Sequence, residues 1–186
     1  MLGPNDTLES ERLALRRFTP ADFDLFHRLN SNPHVMRYAG GVKTREQNQA
    51  AFATRILKYY EDFPGLGVWA TVTRAGGECI GVHLLNNIQG ESHIQVGYLL
   101  FPEYWRRGFA TEMCVRLLRY GFGERALPRI CAITNLANVE SQRVLLKSGL
   151  VRNGERSFAH PAYADAGPLA WFEREGESWL AEHSEA

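Results

Sequence analysis

The chain has 186 residues, 45% of them hydrophobic, which suits one domain with a substantial core. Its 21 basic and 21 acidic side chains cancel, so the charge balance argues against a nucleic-acid or membrane-surface partner. No apolar run approaches membrane-spanning length, and Met1-Leu-Gly-Pro4 lacks the pattern of a secretion signal. Cys79, Cys114 and Cys131 are an odd set without Cys-x-x-Cys spacing, so free thiols and a cytoplasmic location are expected. Asn5-Asp-Thr7 is read as a chance glycosylation sequon.

Glu11-Arg-Leu-Ala-Leu-Arg16 alternates polar and apolar residues and predicts a first strand. Thr19-Pro20 opens a helix with Phe23, Phe26 and Leu29 on one face, ended by Asn32-Pro33. Thr44-x-x-Gln47 has the form of a capping box before a helix in which Ala53, Ile56, Leu57 and Tyr60 share a face. Three strands follow, near 66–73, 79–85 and 93–101, with turns at Ala75-Gly-Gly77 and 86–90. A helix over 108–122, a strand over 129–134 and a helix over 138–148 capped by Gly149 come next. Strands near 150–158 and 169–175 flank a Pro/Gly/Ala-rich loop, and a helical turn around Trp179 closes the chain. This order predicts an α/β (α+β) fold with a mixed, mostly antiparallel seven-stranded sheet and helices on both faces. The fourth and fifth strands, each followed by a helix, are expected to run parallel and to splay.

The most informative segment is Pro102-Glu-Tyr-Trp-Arg-Arg-Gly-Phe-Ala-Thr-Glu112. It lies between the apolar run Val96-Gly-Tyr-Leu-Leu-Phe101 and a helix with Ala110, Cys114, Leu117 and Leu118 on one face. A basic turn with one glycine at a helix start presents backbone N–H groups and a positive dipole end to an anion such as a pyrophosphate. Alone, it also reads as an ordinary strand-to-helix turn with solvated arginines. Thirty residues on, Asn138 and Ser141 stand three apart at another helix start, where Asn138 also reads as a simple N-cap.

Taken in order, three segments resemble the GNAT acetyltransferase superfamily, and within it the ribosomal-protein N-terminal acetyltransferases of the RimJ/RimL type; the resemblance spans about residues 8–175 and implies a single GNAT-like domain over 1–186. The segments are Ser10-Glu-Arg-Leu-Ala-Leu-Arg16, Tyr104-Trp-Arg-Arg-Gly-Phe-Ala-Thr-Glu112, and Asn138-x-x-Ser141 through Lys147-Ser-Gly-Leu150; Trp69 and Gly81 also fall at places typical of the branch. The resemblance implies acetyl-CoA as cofactor, with its pyrophosphate on the amides of Arg106, Arg107, Gly108, Phe109, Ala110 and Thr111. It further implies that Leu99, Leu100 and Phe101 pair with the pantetheine arm, that Asn138 bonds the same arm, and that Ser141 lies near the sulfur. A backbone N–H near Leu99 or Leu100 becomes the expected oxyanion donor. No metal is expected. The acceptor would be a small amine or a peptide or protein N-terminus; relatives are often dimers, and the residues leave the oligomeric state open, with the tail around Trp179 as the candidate surface for a homodimer.

Two positions depart from the family pattern. Gln95 stands where many relatives carry a glutamate base, and Leu145 where many carry a tyrosine acid. Glu91, His93, His83 or a water held by Gln95 are the substitute bases, and Ser141 or water the substitute acid. At pH 7 an α-amine of pKa about 7.7 is about 15 per cent neutral, and a lysine amine of pKa about 10.4 about 0.04 per cent. That gap of about 3.5 kcal/mol matches what a good general base supplies, so a chain without one should favour low-pKa amines. The alternative is a non-catalytic acyl-CoA-binding module; a GNAT-like scaffold moving another acyl group is a further one. His83 and His93 lack a third ligand at a defined spacing. Cys131 is expected to be a buried, inert thiol and not an acetyl carrier. Two segments, 34–41 with Arg37 and Tyr38, and the 159–167 loop, are candidate walls of the acceptor site.

Overall fold

A computed structural model describes residues 7–183; the Met1-Leu-Gly-Pro4 opening and Asn5 of the sequon lie outside them. The chain begins with β1 (Leu8–Glu9) and β2 (Leu13–Arg16), then helices α1 (Phe23–Asn30), α2 (Pro33–Met36), α3 (Arg45–Ala51) and α4 (Tyr59–Asp62). Strands β3 (Gly67–Thr73), β4 (Cys79–Asn87) and β5 (Ile94–Leu100) lead to helix α5 (Phe109–Arg119). Strand β6 (Arg129–Asn135), helix α6 (Val139–Lys147), strands β7 (Val151–Arg156) and β8 (Leu169–Glu175), and helix α7 (Gly176–His183) complete it. The fold is mixed α/β with a mostly antiparallel arrangement of strands, as the residue pattern predicts.

The chain divides into two compact units, one formed by residues up to Leu84 with Tyr98–Phe109, the other by Leu85–Gly97 with the chain from Ala110 onward. The first contains the strand order β1-β2-β3-β4-β5, and the second β4-β5-β6-β8-β7, because β4 and β5 run through both. In the second unit β5 and β6 are parallel, as expected, and their register consists of Gln95↔Cys131.

In the first unit, the helix start at Thr19-Pro20 is fixed by charge. Asp22 accepts from the backbone N–H and hydroxyl of Thr19, and two bonds from Arg16 at 2.7 and 2.9 Å. The hydrogen-bonded Arg16 guanidinium, with help from Thr19, holds the Asp22 carboxyl down at about 2. Phe18, Phe26 and Phe52 pack edge-on or tilted at 5.2–6.1 Å between centroids, each buried ring adding about 1.5–3 kcal/mol of burial. Tyr60 accepts the Phe18 N–H at 3.1 Å and donates to the Val68 carbonyl, and burial pushes its phenol up to about 12.

Several details differ from the sequence expectations. An eighth strand, β1, pairs Leu8 with Leu15 and Glu9 with Ala14; two residues are too short to show alternation. The helix expected after Thr44 is three pieces: α3, a π-helical stretch Phe52–Leu57, and α4. The wider π turn buries Phe52 and Ile56 but leaves Ala53, expected on the same face, exposed and Leu57 half-buried, and α4 buries Tyr60. The expected helical turn at Trp179 is the full helix α7, in the second unit. Trp179 is fully buried, donates its indole N–H to the Ser148 carbonyl at 3.0 Å and stacks on His183 at 4.0 Å. That indole is satisfied within its own chain.

The 159–167 loop is anchored, not loose. His160 Nδ1 accepts the Ala162 N–H at 3.1 Å to cap a 3-10 turn, Tyr163 Oη accepts the Gln89 N–H at 3.3 Å, and Tyr163 packs on Phe158 at 5.0 Å.

Candidate active site

In the first unit, β5 is held to β4 by the Phe101 N–H, which donates to the Ile80 carbonyl at 3.0 Å. Gly81, at φ +147°, permits the closest approach. A Cβ there would come within 2.2 Å of the Leu99 carbonyl oxygen, so this carbonyl faces β4. In a trans peptide the N–H and C=O point in opposite directions, so the Leu100 N–H faces away from β4. The Leu100 carbonyl faces away too, and accepts the Trp105 indole N–H at 2.7 Å. Of the two expected oxyanion donors, the strand therefore orients Leu100, not Leu99, toward its outer edge.

The turn that follows is built from unusual backbone. Pro102–Tyr104 makes a 3-10 turn, Arg106 adopts φ +61° and Gly108 φ +81° before α5 begins at Phe109. Left-handed residues at alternate positions form a concavity of main-chain amides. Arg106, Arg107 and Gly108 are exposed, and among the described residues no carboxylate lies within ion-pair distance of either arginine. Gly108 also occupies the position before the helix, where it has no side chain to cap the first turn of α5. An exposed, cationic helix start with glycine at the preceding position fits a diphosphate.

Sequence reasoning passed over one residue here. Arg12, just before β2, donates from Nη1 to the Arg107 carbonyl at 3.1 Å and lies over the Phe109 ring at 4.6 Å. It was legible only as part of the first strand pattern, because its partners lie 95 residues away in the chain.

The second unit holds the remaining expected residues. Ala110 and Thr111, half-buried, lie in the first turn of α5. Asn138 is the N-cap of α6, its Oδ1 accepting the Ser141 N–H at 3.2 Å. The N-cap reading is thus realised, and what Asn138 retains for a ligand is its Nδ2 donor. Ser141 is half-buried. Gln95 donates from Nε2 to Oδ1 of the buried Asn86 at 3.3 Å, so its carbonyl oxygen is its acceptor. Leu145 is buried.

The other candidates separate cleanly. His93 Nδ1 lies 3.3 Å from Glu91 Oε2, and its ring stands edge-on to Trp171 at 5.4 Å. An imidazole beside a carboxylate is a workable proton acceptor. His83, in the first unit, is fully buried with Nδ1 2.7 Å from Thr71 Oγ1. Cys131 is buried, its thiol bonded to the Ile94 carbonyl at 3.2 Å, and burial pushes it up to about 12. Such a thiol is no nucleophile at neutral pH. Among the described residues there is no metal-binding cluster of three or more His, Cys, Asp or Glu, and no helix is long and apolar enough to cross a membrane.

Comparison with known proteins gives the family and the fold. A family model described as an acetyltransferase (GNAT) domain matches residues 12–151. The uncharacterized N-acetyltransferase YoaA of Bacillus subtilis is 34% identical over 151 residues, covering 79% of this chain and 84% of that protein. A spermidine N-acetyltransferase from Vibrio cholerae, solved with CoA and spermine, superposes with a TM-score of 0.71 at 19% identity, covering 90% of this chain and 98% of that one. A ribosomal-protein-S5-alanine acetyltransferase from Vibrio fischeri superposes at 0.74 with 18% identity, covering 94% and 99%. The chain belongs to the GNAT acetyltransferases and is an acetyl-CoA-dependent N-acetyltransferase.

Proposed function

We propose that this acetyltransferase acts on low-pKa primary amines, such as a peptide or protein N-terminus or an activated small amine, in the manner of the RimJ/RimL-type enzymes. The observation that carries this reading is Gln95. At the position of the usual carboxylate base the chain has a neutral amide, already engaged with Asn86, and a buried leucine, Leu145, replaces the usual tyrosine acid. An acceptor that is partly neutral at pH 7 needs the least help. Of the two fold neighbours, one is named for spermidine and the other for a protein alanine; spermidine, whose amines resemble that of lysine, suits this site less well.

Acetyl-CoA supplies the activated acetyl group and a thiolate leaving group. In our reading the amides of Arg106 to Thr111 receive its diphosphate, with Arg106 and Arg107 adding positive charge. The outer edge of β5 at Leu99 to Phe101 receives the pantetheine amides, and Asn138 Nδ2 donates to the same arm. The Leu100 N–H donates to the carbonyl oxygen as negative charge develops on it. Ser141 solvates or protonates the departing thiolate. The proton of the amine passes to water held at the Gln95 carbonyl or to His93. Transfer is direct, since Cys131 is unsuited to carry the acetyl group.

Thiol release measured with acetyl-CoA and a panel of amines tests this. N-terminal amines should react faster than lysine side chains, with rates rising as pH approaches the pKa of the amine, about 7.7. Faster acetylation of lysine or spermidine would overturn the acceptor assignment. Binding of CoA without transfer to any amine would favour the second reading, an acyl-CoA-binding module, which the missing carboxylate and tyrosine also allow.

A further inference from the structure

We propose that Trp105 is a positioning residue for acetyl transfer: its indole N–H pins the Leu100 carbonyl and so aims the Leu100 N–H. The proposal rests on the acetyltransferase reading of this site. Its physical basis lies within the first unit. The peptide group joining Leu100 to Phe101 is held from both sides, its carbonyl by Trp105 at 2.7 Å and its N–H by the Ile80 carbonyl at 3.0 Å. With that plane fixed, the torsion on the carboxyl side of Leu100 is fixed too. The preceding peptide is set by the close approach of the Leu99 carbonyl to Gly81. Leu100 is thus constrained at both of its peptides, and its N–H keeps one direction.

Trp105 is an unusual choice for a merely structural bond. Its side chain remains 45% exposed, so burial contributes less to holding it than it does for the three other tryptophans. The bond is half-buried, and loss of one such hydrogen bond is tolerated by a fold. It is less well tolerated by a donor that must meet a developing charge, where small misalignments are costly in rate.

Arg12 makes the matching contact one turn further on. Its bond to the Arg107 carbonyl and its place over Phe109 hold the left-handed stretch from Arg106 to Gly108. The two contacts should therefore separate by effect. Trp105 acts on the oxyanion donor and on turnover, whereas Arg12 acts on the anion-receiving turn and on affinity.

The test uses Trp105→Phe, which keeps an aromatic ring and removes the donor, beside Arg12→Ala. In Trp105→Phe, kcat should fall about tenfold with KM for acetyl-CoA changed less than twofold, and amide exchange at Phe101 should quicken about fivefold. In Arg12→Ala, calorimetric Kd for CoA should rise about tenfold with kcat little changed. Turnover within twofold of wild type in Trp105→Phe, or unaltered exchange at Phe101, would overturn the assignment. If the wild-type protein acetylates nothing, the acetyltransferase reading of the site fails on that result. The exchange rate of Phe101 alone then decides whether Trp105 pins the strand.

Discussion

At the start of α6, the Asn138 side chain accepts the Ser141 N–H at 3.2 Å, so the helix satisfies one of its own first-turn donors. At the start of α5 the same position is Gly108, which has no side chain to offer, and the backbone before it turns left-handed at Arg106 and again at Gly108. Both helices start where the sequence resembles the acetyl-CoA motifs of the family, yet one start has a capping side chain and the other has glycine in its place. A first-turn amide already bonded to a cap is withdrawn from any ligand. An end whose amides are left unmet can bind an anion with the main chain itself. In the proposed reading the diphosphate accordingly goes to α5, and α6 is left to offer Asn138 Nδ2 and the Ser141 hydroxyl.

The variant with the largest expected effect attacks the start with glycine. Gly108→Val places a β-branched residue at φ +81°, where a non-glycine residue costs about 1–2 kcal/mol before branching is counted. A Cβ there meets only Arg12 Nη2 at 3.4 Å, so backbone strain, not collision, is the cause. The turn should reshape, and calorimetry should show CoA affinity reduced about 100-fold or more, while the circular dichroism of the fold is kept. Unchanged affinity would mean that the anion sits elsewhere.

The capped start should respond more weakly, and in rate instead of affinity. Ser141→Ala should slow turnover about tenfold with CoA affinity within about twofold, if its hydroxyl serves the leaving thiolate. Equal losses in both would reduce Ser141 to a first-turn residue. Asn138→Ala should cost about 1 kcal/mol of stability, read as a lower denaturant midpoint, because the cap is lost. A stability unaffected by this change would break the contrast between the two helix starts.

What the chain reveals before folding follows the range of the interactions involved. Gly108 between a strand pattern and a helix pattern is a local signal, and so are Thr44-x-x-Gln47, Asn138 and the alternation in β5. Arg12 was not readable as part of the site, since its contact with the Arg107 carbonyl is made only by tertiary structure. The same holds for Trp105, whose indole reaches back to Leu100 because the 3-10 turn at Pro102–Tyr104 reverses the chain. The π-helical stretch at Phe52–Leu57 preserved the burial of Ile56 and Tyr60, so the apolar period concealed the break. At Gln95 the residue type announced a missing base, but its bond to Asn86 needed the fold.

Amide hydrogen exchange of the wild-type protein, with and without saturating CoA, tests the central claim most directly. Exchange should slow across Arg106 to Thr111 and stay nearly constant at Ser141, whose N–H is already bonded to Asn138. Saturation with CoA that leaves Arg106 to Thr111 unprotected, or that protects Ser141 instead, would contradict it.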